Sequence, residues 1–232
     1  MNSFFEKGLT DSHKYFKNAV CIIFSANDML GKNRFDGGCK MEKSISDDEG
    51  KLLLKLARKS ILQEFDKKGD EFLARSPKAY PDVLRQNRGV FVSLHKKGDL
   101  KGCIGIIEPV KPLFKGVIEN AKHAAFEDTR FASLSLEEFK DTKIEVSVLT
   151  CPGKVEYRDE RELLSKIRPD IDGVIIKKNS LSATFLPQVW KQLKNPETFF
   201  KQLCIKAGLL PDEWKTGDLV VSTYQVQVFK EE

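Results

Sequence analysis

Histidine is scarce in this 232-residue chain: there are three, at positions 13, 95 and 123, too far apart for any local metal-ligand spacing. Cysteines stand at 21, 39, 103, 151 and 204, an odd number without a CxxC pair. That pattern offers neither a disulfide framework nor a zinc knuckle, and a reducing cytoplasm is the simplest location for it. No run approaches the roughly 20 apolar residues of a membrane-spanning helix. A concentrated basic strip is also missing. The net charge is +5, but mixed runs such as "KKGD" and "RDERE" disperse it, which argues against a nucleic-acid surface. Nothing in the residues names a metal or a cofactor.

What is present is an ordinary globular balance, 41% hydrophobic and 31% charged, in a chain long enough to bury a sizeable core without covalent staples. Residues 1–40 differ from the rest. "NDMLGKNRFDGGCK" is turn-rich and ends beside Met41, so 1–40 is expected to be a poorly ordered extension, with Met41 an alternative start; the apolar run "AVCIIF" is shorter than the core of a signal peptide. Residues 41–232 are expected to form a single domain.

Ser46 and Glu49 form a capping box, and Leu52, Leu53, Leu56, Ala57 and Ile61 recur at helical spacing, predicting a helix to about Phe65. The two prolines of "EFLARSPKAYPDVLRQNRG" predict an irregular segment. "GVFVSLH" and "LKGCIGII", separated by "KKGD", read as a β-hairpin. "LFKGVIENAKHAAF" has a helical repeat, and Ser135 with Glu138 makes a second capping box. "KIEVSVLT" alternates, with Ile144, Val146 and Val148 toward a core and Glu145 and Ser147 on the other face. "ELLSKI" reads as a short helix and "DGVIIKK" as a short strand. "NPETFFKQLCIKAGL" reads as a helix with Asn195 as N-cap, Pro196 first and Gly208 at the C-terminal cap. "LVVSTYQVQVF" reads as one closing strand. Hairpins mixed with helices, without regular βαβ alternation, predict an α+β fold with a mainly antiparallel sheet.

Alternation along "LKGCIGII" places Lys101, Cys103 and Gly105 on one face, with the α-carbons of Lys101 and Cys103 about 7 Å apart, near enough for the ammonium to favour a thiolate. Gly102 and Gly105 flank the cysteine, and glycine inside a strand marks a bulge or a close approach by a backbone or ligand. Cys103 thus reads either as a nucleophile or as a small buried hydrophobe beside glycines that let a helix pack. A catalytic cysteine would need a base from elsewhere in the fold. Glu145 is the candidate, provided its face looks into a cleft rather than into water; Ser147 shares that alternative. In "EDTRF", Arg130 reads as an anion clamp oriented by Asp128, or as half of a helix-ending ion pair. Gln188 in "FLPQV" reads as an amide offered to a ligand or as a loop anchor. His123 reads as a helix-surface or partly packed residue, and Cys204 as core.

The ordered set "GVFVSLHKKGDLKGCIGII", "AAFEDTRF", "IEVSVLT", "GVIIKK", "FLPQV" and "FFKQLCIKAGLLPDEW" resembles the AMME chromosomal region family, called AmmeMemoRadiSam system protein A in microbes, whose hallmark is LRGCIG. The resemblance runs from about residue 46 to the C-terminus. Lys101 stands where the hallmark has arginine, and Thr129 where proline often precedes the arginine and phenylalanine. Lysine keeps the charge and loses the planar fork, which counts against any role requiring two parallel hydrogen bonds. The resemblance implies larger and smaller subdomains meeting at a cleft, and by association a Memo-type protein and a radical SAM protein as partners. The expected function is a cytosolic cleft protein that binds a small molecule or peptide end, with thiol-assisted or acid/base chemistry by Cys103 and Glu145 and ligand contacts from Lys101, Gly102, Gly105, Arg130 and Gln188. Its rivals are a non-catalytic adaptor and, more weakly, a nucleic-acid regulator.

Overall fold

The computed structural model describes residues 44–67 and 69–232, together with the backbone of 22–23. The expected extension, residues 1–40, and the alternative start at Met41 fall outside the described residues except for that two-residue strand. The chain separates into two compact units. The first comprises residues 43–148 and 227–232 with the strand at 22–23, and the second residues 149–226.

The first unit is a five-stranded sheet with helices on one face. β1 (Ile22–Ile23) runs parallel to β3 (Asp99–Ile106), which pairs antiparallel with β2 (Val90–Lys96); β4 (Thr142–Leu149) and β9 (Val226–Lys230) complete the order β1-β3-β2-β4-β9. α1 (Asp47–Asp66) starts at the expected capping box, with Ser46 accepting from the Glu49 amide and the Glu49 carboxylate accepting from the Ser46 amide. The proline-containing stretch holds only a 3-10 turn at Pro77–Ala79 and the single-turn helix α2 (Asp82–Arg85). α3 (Leu113–Phe126) and the short α4 (Leu136–Lys140), the latter opened by the Ser135–Glu138 capping box, follow the hairpin. The hairpin turns on Lys97 and Gly98, both in the left-handed region (φ +52° and +89°), as a tight two-residue turn requires.

The apolar alternation decides which face the helices cover. Val90, Val92 and Leu94 of β2, Ile104 of β3 and Ile144, Val146 and Val148 of β4 all join one core with Leu53, Leu56 and Ile61 of α1 and Val117, Ala121 and Ala124 of α3. Burial of these side chains is the main stabilising term, about 1.5–3 kcal/mol for each large one. β9 is fastened to this core from outside. The Phe229 ring lies where a β-carbon on Gly50 would stand, and the Glu231 carboxylate accepts from the Arg58 guanidinium and from the Ile144 amide.

The second unit is a four-stranded antiparallel sheet in the order β5 (Gly153–Lys154), β8 (Val220–Tyr224), β6 (Gly173–Lys178), β7 (Leu181–Phe185). It also contains α5 (Glu160–Lys166) and α6 (Pro196–Lys206). α6 has Asn195 as its side-chain cap, and Gly208, just past its end, has φ +79°. The core here is aromatic. Trp190 stacks on Phe199 with centroids 3.6 Å apart and rings 3° from parallel, while Phe200 packs between Phe199 and Trp214. Cys204 is fully buried beside them, and burial pushes its thiol up to about 11.

One expectation is corrected. "LVVSTYQVQVF" is not a single strand: β8 belongs to the second sheet and β9 to the first, with the break at Gln225. There the Thr150 amide donates to the Gln225 carbonyl, and the Gln225 amide to the Thr150 hydroxyl. The alternation continues through the break, so nothing in the local pattern signals the change of sheet.

Candidate functional site

The helix-free face of β2, β3 and β4 carries the chemistry. Register sets Ser93 directly opposite Cys103 on one side and Glu145 on the other, and sets Phe91 opposite Gly105 and Ser147. His95 lies opposite Lys143, two residues from Ser93 on the same face. Cys103, Ser93, Glu145 and Ser147 thus form a polar row across three strands. All four are buried, whereas a face turned to water would leave a carboxylate and two hydroxyls solvated. Ser93 donates its hydroxyl to Cys103 Sγ at 3.1 Å, and the Ser147 hydroxyl reaches Glu145 Oε1 at 3.5 Å.

Cys103 is held from behind. Its amide donates to Asp128 Oδ2 at 2.9 Å, and its carbonyl accepts from Arg130 Nη2 at 3.2 Å. Arg130 also donates to both oxygens of Asp128, at 2.9 and 2.6 Å. Asp128 is thereby buried and paired. Because both peptide groups of Cys103 are directed at Asp128 and Arg130, Ser93 and Cys103 form a non-hydrogen-bonded pair, the kind in which facing side chains approach most closely. "EDTRF" therefore serves the strand: Arg130 is engaged by Asp128 and by the Cys103 peptide.

The sulfur itself is not a thiol here. Cys103 and Cys151 are each disulfide-bonded. The expectation that the cysteines offer no disulfide framework fails for these two, since odd number and irregular spacing do not forbid pairing between distant positions.

Lys101 is turned away from this row. The ladder slips between Leu94 and His95, leaving Lys101 as the extra residue of a bulge, and a bulge re-aims its side chain. Its ammonium lies 3.9 Å from Glu138, which also pairs with Lys96 at 3.3 Å. The strict alternation that put Lys101 beside Cys103 does not survive the bulge.

The two glycines have packing partners. A β-carbon on Gly102 would stand 2.0 Å from the Ala124 carbonyl oxygen, so α3 lies directly against the strand backbone there. On Gly105 it would stand 2.1 Å from the Phe91 ring, which covers the glycine from the neighbouring strand. Gln188 lies in the second unit, in the 3-10 turn Pro187–Lys191, with its amide oxygen buried.

At the turn end of the sheet the row opens into a hollow of about 380 Å³, a volume in the range of small-ligand sites. His95, Lys143, Glu145 and Lys230 line it, with Lys97 and Gly98 of the hairpin turn. Glu145 Oε2 pairs with Lys230 Nζ at 2.7 Å; the Glu145 side chain is 12% exposed and that of Lys230 65%. Burial holds the His95 imidazole below its usual range, with the Glu145 carboxylate opposing and the Lys230 ammonium adding to that shift. At neutral pH the hollow therefore presents a neutral imidazole beside a paired carboxylate. His95, Ser93 and Lys230 were not singled out from sequence. Alternation alone would have put Ser93 and His95 on one face, but the strand partners that make that face matter come from distant segments.

Among the described residues, no group of three or more His, Cys, Asp or Glu is placed to hold a metal ion, and no helix is long and apolar enough to cross a membrane.

Two sheets, one covered by helices and backed by a buried polar row, define an α+β protein of the class the resemblance implied. The AMMECR1 family profile matches residues 54–229, and the chain belongs to that family. It is 43% identical over 189 residues to a protein of Methanothermobacter thermautotrophicus, covering 81% of this chain and 97% of that one. It is 39% identical over 200 residues to protein MK0488 of Methanopyrus kandleri, covering 83% and 93%. The crystal structure of uncharacterized protein PH0010 from Pyrococcus horikoshii superposes with a TM-score of 0.73 at 38% identity, over 81% of this chain and 94% of that one.

Proposed function

We propose that this chain binds a small molecule or a peptide end at the polar row and its adjoining hollow, with Glu145 as polar anchor or general base. The observation that carries the proposal is the burial of Glu145 in register with Ser93 and Cys103, beside a hollow also lined by His95. A buried carboxylate that lines the hollow and is paired there with a largely exposed lysine is placed where a ligand can reach it. Thiol-assisted chemistry by Cys103 requires its disulfide to be reduced first. In this reading Gly102, Gly105 and Arg130 act by packing and by positioning the strand, and Lys101 faces away from the site.

The test is an NMR titration of the full chain with a panel of neutral, anionic and cationic fragments and short peptides. The expected result is saturable shifts at His95, Glu145 and Ser147 that Glu145→Gln weakens at least tenfold. A panel in which no probe moves those residues sinks the reading. Alkylation of Cys103 with and without reductant tests the thiol component: labelling only after reduction is expected, and a sulfur unreactive in both states removes that chemistry.

A further inference from the structure

The Glu145–Lys230 pair has an asymmetry that bears on what the hollow accepts. Glu145 projects from a central strand and is nearly enclosed, whereas Lys230 comes from the last strand, β9, and leaves most of its side chain in solvent. A carboxylate so placed cannot move far. A lysine on a flexible four-carbon stem can swing away at little cost, because a half-exposed ion pair is weak and the freed ammonium is rehydrated. The hollow is continuous with the pair, since both residues line it.

We infer that Lys230 is a built-in stand-in for the ligand, and that the hollow recognises a primary ammonium group which takes the place of the Lys230 ammonium on Glu145. The inference rests on the binding site proposed above and names the chemistry of its ligand. The neutral His95 imidazole on the adjacent strand offers such a ligand a hydrogen-bond partner without adding to the positive charge of Lys97 and Lys143, which the Asp141 and Glu231 carboxylates of the same lining offset. A free amino acid and a peptide N-terminus share the required ammonium, and both are small enough at the recognised end to enter a space of about 380 Å³.

Because Lys230 competes from within the same molecule, removing it should tighten binding rather than weaken it, the opposite of what deleting an ordinary contact residue does. The experiment is titration of the full chain and of Lys230→Met and Glu145→Gln variants with alanine, trialanine and N-acetyl-trialanine, followed through the His95 ring and Glu145 amide resonances. Melting curves confirm that each variant is folded. Lys230→Met is expected to bind the amines roughly three- to tenfold more tightly, Glu145→Gln to lose them, and the acetylated peptide to be ignored by all three proteins. Preference for alanine over trialanine assigns the site to a free amino acid, and the reverse to a peptide N-terminus. Weaker amine binding in Lys230→Met, unchanged binding in Glu145→Gln, or equal binding of the acetylated peptide would overturn the inference. If neutral or anionic probes shift the site residues while no amine does, the ammonium inference fails and the binding site stands. If no probe of any charge does, both fail.

Discussion

The two faces of the β2–β3–β4 sheet are built from the same strands and are both buried, yet they are held by different physics. On the helix side, Val92, Leu94, Ile104, Ile144 and Val146 meet α1 and α3, and packing alone accounts for the arrangement. On the other side, Ser93, Cys103, Glu145 and Ser147 take the alternate positions, and each needs a hydrogen-bond or charge partner to be tolerated there. An apolar face can be shaped by volume; a buried polar face has to be satisfied atom by atom. The second face is therefore where a change of partner, rather than a change of packing, can do something.

The largest expected effect falls on the support behind that polar face. Asp128→Ala leaves the Arg130 guanidinium half-buried without its carboxylate and strips the Cys103 amide of its acceptor, a loss of about 3–5 kcal/mol by the usual cost of breaking a buried pair. Asp128→Asn, which keeps an acceptor, is expected to lose less. Equal loss in the two variants, measured by denaturant unfolding, would show that the charge carries the whole effect and the retained acceptor contributes nothing to holding the strand. Next come the two glycines, one on each face. Gly102→Ala drives a methyl into the Ala124 carbonyl and forces α3 off the sheet, whereas Gly105→Ala meets the Phe91 ring, a side chain rather than backbone. Both should destabilise, by about 1–3 kcal/mol for ordinary overpacking, with Gly102→Ala the worse. The reverse order would mean that the polar face is the more tightly packed of the two.

How far these features could be read beforehand depends on how local their causes are. The Ser46–Glu49 and Ser135–Glu138 capping boxes and the Asn195-Pro196 start are each decided within four residues and appear in the structure where the pattern put them, and the hairpin turn falls within the expected "KKGD", narrowed to Lys97 and Gly98. The apolar face of β4 was legible for the same reason. The polar row was only half legible. Cys103, Glu145 and Ser147 stood out by type, but Ser93, which links them, looks like any strand serine until register sets it between them. Lys101 was placed beside Cys103 by strict alternation, which a bulge undoes. Asp128 is 25 residues from the amide it holds, and no short-range pattern reports that distance.

A smaller effect is expected where the apolar face meets the N-terminus of α1. Ser46→Ala removes a side-chain cap and half of a reciprocal box, at a cost of about 1 kcal/mol. A shift in the thermal midpoint without any change at His95 or Glu145 would show that the helix side can be loosened independently of the polar side. A change at the site would show that the two faces are coupled through the strands.

The smallest effect concerns His95, and its sign follows from its surroundings. Burial holds the imidazole below its usual value of 6.5; Glu145 on β4 pulls it upward and Lys230 on β9 pushes it further down, with Lys143 opposite it on β4. The unfolded chain therefore takes up a proton at a higher pH than the folded one, so this contribution to stability is complete above about pH 6.5 and is lost as the pH falls through the lower folded-state value. The lowered carboxylates act in a separate, more acidic window. Glu162, held near 2 first by Lys166 and then by Arg158, and Glu138, held down by Lys96, lose their contributions only below about 4.5. His95→Gln should flatten the stability profile just below pH 6.5 and leave the acid limb unchanged. If the mildly acidic slope persists in that variant, His95 is not the group that titrates, and the neutral imidazole assigned to the hollow is wrong.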